Sequence, residues 1–205
     1  MRDTSAPLDA RHTLGSVGLI FACVAEGVRR IAEPVRRREA SAVTDSERFR
    51  EMTEFGVIPA PSGAGAVVMH AEDGRDCRVV LVVVRPADQE RKVAIVTLEW
   101  CKQSVFGYPN DEAYWHDPRG ADGDRPGYGF YEVLSSAWDE RLKTYNRHAF
   151  PDRTPSHSGL RHYFIGCHDA SGEFLARDLK VEVTDGSFQE AVGEAVNRTV
   201  GLDPL

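Results

Sequence analysis

The tightest constraint in this chain is a run of six apolar residues, VVLVVV at positions 79–84. Successive side chains of a strand point to opposite faces, so a strand made of this run is apolar on both. Such a strand has to be covered on both sides, which places it at the centre of a layered fold. The flanking residues agree. Glu72-Asp73-Gly74 is a turn signal that pairs a strand over 66–70 with one over 77–85 as a hairpin, and Pro86 opens a polar loop reaching Arg91. Further strands are expected over 92–101, 128–134, 161–168 and 173–184. In the last of these, Leu179, Val181 and Val183 alternate with Lys180, Glu182 and Thr184, so one face is wet. Ala170-Ser171-Gly172 is read as the turn before it.

Two helices complete the core. One runs from Ser135 or Ser136 to Asn146, with Ser136 and Asp139 at capping spacing and Trp138, Leu142 and Tyr145 on one face. The other starts at the Ser187/Glu190 capping box, carries Phe188, Val192, Ala195 and Val196 on its apolar side, and stops at Gly201. The expected fold class is α+β: a mainly antiparallel curved sheet or partial β-barrel of about six strands, with an N-terminal helical appendage and a C-terminal helix.

The appendage is read from Leu14, Val17, Phe21, Val24, Val28, Ile31 and Val35, which recur at alternating spacings of three and four. That stripe predicts an amphipathic helix, packed either on the chain's own sheet or on a second copy, so a homo-oligomer through residues 14–35 is one expectation. Arg29, Arg30, Arg36, Arg37 and Arg38 give its end a solvated basic face. A second short helix is expected from Asp45 and Glu47, carrying Phe49, Met52 and Phe55. The Pro- and Gly-rich stretch 59–65 reads as a linker between the appendage, 1–58, and a core domain, 66–205.

Composition narrows the function classes. The net charge of -7 argues against the broad basic surface that nucleic acids require. No apolar run approaches the roughly 18 residues of a membrane helix, and Asp3 and Asp9 spoil the basic start of a signal peptide, so a cytoplasmic protein without membrane partners is expected. Cys23, Cys77, Cys101 and Cys167 form no C-x-x-C pair and show no zinc-ligand spacing; they read as buried thiols in a reducing compartment. Glycine spacing offers neither a phosphate loop nor a dinucleotide fingerprint, and no serine elbow is present. No cofactor and no metal are expected.

Two segments stand out from ordinary packing sequence. Residues 106–118 mix aromatic with polar groups, and residues 161–169 carry two histidines and a cysteine. Loops of this composition either pack their rings or bind with them. Tyr108, Asn110, Asp111, Glu112, Tyr114, Trp115 and His116 are therefore candidate binding residues, joined by Arg161, His162 and His168 from the later segment. With the 146–158 loop they are expected to frame a pocket for a small molecule or a peptide. Glu99 and Glu132 sit on otherwise apolar strand faces, where a carboxylate pairs with a cation such as Arg161 or shifts its pKa. With His116, His148 and His162 they are the candidates for acid–base or metal chemistry if the chain is an enzyme. A metal would need these histidines or His168 to converge with Asp111, Glu112 or Asp117, and no local H-x-H or H-E-x-x-H pair anchors that. His162 and His168, six apart on one strand, would stand about 20 Å apart and could not share an ion. Cys167 and His168, adjacent on a strand, would face opposite ways.

The pieces FGYPNDEA, a following His, EVLSSAW, N-R-H, L-R-H-Y-F and C-H-D together resemble a family of uncharacterised bacterial proteins, over roughly residues 99–180. The resemblance implies a bacterial source and a shared domain, and carries no mechanism. A Pro-Leu pair that usually follows the first His in that pattern is Asp117-Pro118 here.

Overall fold

A computed structural model describes residues 47–62, 65–71, 75–123, 125–152 and 159–201. The helical stripe at 14–35, the rest of the segment before residue 47, and positions 153–158 of the expected pocket loop lie outside the described residues.

Among the described residues ten strands dominate: β1 (Arg48–Glu51), β2 (Ile58–Pro59), β3 (Val67–His70), β4 (Cys77–Val84), β5 (Arg91–Glu99), β6 (Gln103–Gly107), β7 (Gly129–Leu134), β8 (Arg161–Gly166), β9 (Ser171–Ala176) and β10 (Asp178–Thr184). Three α-helices of the same residues join them: α1 (Asp111–Tyr114), α2 (Ala137–Ala149) and α3 (Phe188–Val200). The pairs these strands form are antiparallel. One sheet runs β1-β7-β8-β9-β6; the other runs β10-β5-β4-β2, with β3 also paired to β4. The fold is thus α+β with a strongly curled antiparallel, half-barrel arrangement and a C-terminal helix.

The apolar run at 79–84 sits where the sequence places it. Cys77, Val79, Leu81 and Val83 on one face of β4 join Phe130, Tyr163, Ile165 and Phe174 of the other sheet in the main core. Val80, on the opposite face, packs with Ile95 against Ala191 and Ala195 of α3. The Ser187 capping box forms as expected, with the Glu190 side chain closing back on the Ser187 backbone, and Gly201 ends α3 in a left-handed conformation. The other face of the five-stranded β1-β7-β8-β9-β6 sheet carries a smaller aromatic cluster of Phe49, Tyr114, Tyr131, Val133 and Phe164.

Four local expectations are corrected. The short helix expected around residues 45–55 is instead strand β1 followed by a single 3-10 turn, Thr53–Phe55. Phe49 there packs edge-on to Tyr131 and Phe164, so the need to cover that aromatic face overrides a helical spacing of only three residues. The presumed loop from 102 to 127 holds an edge strand, β6, and the one-turn helix α1. The strand expected over 173–184 is two strands that belong to different sheets: β9 pairs with β8 and β6, β10 with β5. The chain turns from one sheet to the other at Arg177, whose N–H donates to the Glu99 carbonyl at 2.8 Å. Finally, α2 has its predicted cap, with Ser136 Oγ accepting the Asp139 N–H, but it buries none of its residues, and Tyr145 is 69% exposed.

Candidate functional site

A cleft of about 700 Å³ opens between β7, α2 and the start of β8, lined by Glu132, Ser136, Asp139, Lys143, Tyr145, Arg161 and His162 among others. His162 forms its floor. It is only 2% exposed, although β8 begins one residue earlier. Its position follows from register: His162 stands opposite Leu175 and Phe164 opposite Glu173, so His162 and Glu173 are diagonal neighbours on the same outer face. His162 Nε2 approaches Glu173 Oε2 to 2.7 Å, at an angle too oblique for a straight hydrogen bond. His162 Nδ1 lies 2.9 Å from Ser136 Oγ. Trp138 meets the ring edge-on at 5.1 Å.

Glu173 is held in turn by Arg119, whose Nη1 and Nη2 donate to its two oxygens at 2.8 and 3.0 Å. Arg119 also forks onto Asp117 and lies 5.1 Å over the Phe49 ring. Burial alone would raise the Glu173 pKa; the close His162 imidazole and the Arg119 fork outweigh it and hold the carboxyl at about 2. Burial works against the Arg119 cation, but Asp117 and Glu173 more than offset it and raise its pKa. The result is a continuous polar chain, Asp117–Arg119–Glu173–His162–Ser136, running across the outer face of the sheet into the cleft.

A second cluster lies near α1. Tyr128 donates its hydroxyl to Asp111 Oδ2, and His168 Nδ1 is 2.9 Å from the same oxygen. Tyr128 and then His168 lower the Asp111 pKa against its own desolvation. Burial, then Asp111, pushes the Tyr128 phenol up to about 12. Trp115 packs edge-on to Tyr128, and Pro109 follows a cis peptide bond with Tyr108.

A third cluster is at the rim between the sheets. His70 is the register partner of Cys77, and Cys101 follows the end of β5. One ring nitrogen of His70 and the two sulfurs all lie within 4.8 Å of one another, a group that could hold a metal among the described residues.

The sequence-predicted residues therefore divide. Arg161, His162 and Glu132 meet at the cleft; Asp111 and His168 meet in the second cluster, with Trp115 beside them. Tyr114 is not a binding residue on a surface: it is 1% exposed, packs on Phe164, and donates its hydroxyl to the Cys167 carbonyl at 3.0 Å. Tyr108 is 82% exposed; Glu112, His116 and His148 are exposed as well. Asn110 caps α1 through its backbone carbonyl, which accepts the Tyr114 N–H at 2.9 Å. Glu132 is ion-paired with Arg50 rather than Arg161, and Glu99, in the other sheet, is paired with Lys180. His168 lies in the turn after β8, so it does not share a strand face with His162. Ser136 was legible only as a helix cap. Glu173 carried one signal, a lone carboxylate in the otherwise apolar strand β9. Arg119, Tyr128 and His70 carried none that a single sequence exposes.

No known family matches the chain, and no curated protein or solved structure shows a significant likeness to it.

Proposed function

We propose that this chain is a binding module for a small polar molecule or a short peptide, seated in the α2–β7–β8 cleft. One observation carries the reading: His162 is almost wholly buried at the cleft floor and fixed from both sides by Ser136 and Glu173. Holding a polar ring in one orientation at the base of a cleft of about 700 Å³ suits ligand recognition, since binding sites combine a concavity of this size with a few placed polar groups. Arg161, Lys143, Asp139 and Glu132 are all in the lining, which suits a ligand bearing both donors and acceptors. In this reading the pocket does not involve the 106–118 loop. The resemblance noted above supports a bacterial source, the lack of a membrane-length apolar run in the sequence supports a cytoplasmic setting, and the stripe at 14–35 supports assembly into a homo-oligomer.

The test is NMR of the full chain with a library of polar fragments and dipeptides, observed on the ligands and on the protein's histidine ring resonances. Hits should perturb the His162 ring resonances and vanish in Thr144→Trp, which fills the cleft from exposed α2. Hits that ignore both, or that map to the Asp111–His168 cluster, would overturn the assignment.

A rival reading has one observation in its favour: hydroxyl, imidazole and carboxylate stand in the order Ser136–His162–Glu173, the order used in acyl transfer. Against it, Ser136 Oγ already accepts the Asp139 N–H at 3.2 Å and the Glu173 approach is oblique. Covalent labelling by a fluorophosphonate, lost in Ser136→Ala, would decide for the hydrolase.

A further inference from the structure

We propose that His70, Cys77 and Cys101 form a binding site for a thiophilic cation of the zinc class, with Ser104 as the group that orients the imidazole. The three ligand atoms come from separate places in the chain and are brought within 4.8 Å of one another by the β3–β4 register and the turn between β5 and β6. Ligands about 2.0–2.3 Å from zinc stand roughly 4 Å or less apart, so small side-chain adjustments close the set.

The surroundings differ from those of ordinary core thiols. Cys77 and Cys101 are fully buried members of the main core, yet they lie against His70, which is exposed. The imidazole is held at both nitrogens: Nδ1 is 2.7 Å from Ser104 Oγ, and Nε2 is 3.3 Å from the Cys101 carbonyl oxygen. Whichever nitrogen takes the ion, the other keeps an oxygen partner, the outer contact that fixes metal-bound imidazoles. The Cys101 thiol now donates to the Gln103 carbonyl at 3.3 Å, a bond a thiolate ligand would release. Two thiolates neutralise a divalent charge at a place where an unbalanced ion would be costly. Cys77 has its pKa raised, by its hydrogen bond with Cys101 and by burial, so the ion must displace protons to bind. Three protein ligands leave a fourth position, which on the His70 side is accessible to water.

The experiment is cobalt(II) titration of the full chain in reducing, non-thiol buffer, followed by zinc competition. One equivalent should give a thiolate-to-cobalt charge-transfer band that zinc bleaches. Cys101→Ser should abolish the band. His70→Ala, at an exposed position that the fold tolerates, should weaken cobalt binding at least tenfold, and Ser104→Ala on the order of tenfold. The same apo melting temperature in His70→Ala and in the unaltered chain shows that the loss is of a ligand and not of the fold. Absence of the band, a band that survives His70→Ala at full affinity (metal on Cys23 or Cys167), or a Cys77–Cys101 disulfide that resists the reductant each overturns the proposal.

Discussion

Replacing Glu173 by Gln removes one charge from the centre of the polar chain and leaves its shape. The size of the effect follows from the structure. His162 and Arg119 hold the Glu173 carboxyl at about 2 against an ordinary 4.5. At about 1.4 kcal/mol per pH unit, that depression is worth about 3 kcal/mol of stability. The sign is fixed by proton uptake: between the two values the unfolded chain binds the proton more tightly. The contribution is therefore complete above about pH 4.5 and lost as pH falls through about 2. Glu173→Gln should be less stable than the unaltered chain by about 3 kcal/mol near neutral pH, within the range seen when a buried pair loses one partner. The gap should close to under about 1 kcal/mol near pH 2.5. The assay is urea denaturation across pH, read by tryptophan fluorescence, to which Trp138 contributes from its place against His162. A neutral-pH loss under about 1 kcal/mol, or a gap that stays constant as pH falls, would mean that His162 and Arg119 do not stabilise the Glu173 carboxylate in this way.

Three further outcomes are expected. Phe164→Ala, which removes the ring touching Phe49, Tyr114 and Tyr131, should cost about 3–5 kcal/mol in chemical denaturation. Gly166→Ala should cost about 3 kcal/mol in the same measurement, because a Cβ there would lie 2.3 Å from the Gly127 carbonyl oxygen. The Cys167 thiol, pushed up to about 12 by burial, should resist alkylation in the folded chain at mildly alkaline pH and react once urea is added, as peptide mapping would show.

What could be read from the sequence was what short-range patterning records. The two-faced apolar run of β4, the hairpin into β3, the caps of α2 and α3 and the existence of β5, β7 and β8 all rest on period and turn chemistry within a dozen residues. Strand β1 was missed because four residues with one buried Phe carry too little pattern to outvote a helical spacing. The division of 171–184 into two strands was missed because no Gly, Pro or Asn marks a break between the apolar 174–176 stretch and the alternation that starts at Leu179; only the partners change. The sites show the same limit more sharply. His162 was legible as a polar residue in an apolar strand, yet its partners Ser136 and Glu173 are set by cross-strand register and by the entry of α2. The cysteines gave no ligand spacing along the chain because His70 and Cys101 reach Cys77 across the sheet, where sequence separation means little.

The turn at Arg177 has a mechanical consequence. One unbroken stretch of backbone serves as an interior member of one sheet and, after a single residue, as the edge of the other, with Lys102 and Arg177 stitched across the junction to Leu175 and Glu99. The two sheets consequently have no slip plane between them at that end. A load applied to β8 crosses from β9 to β10 along the backbone at Arg177 rather than through packing alone, and the β10–β5 hydrogen-bond ladder carries it on into the second sheet.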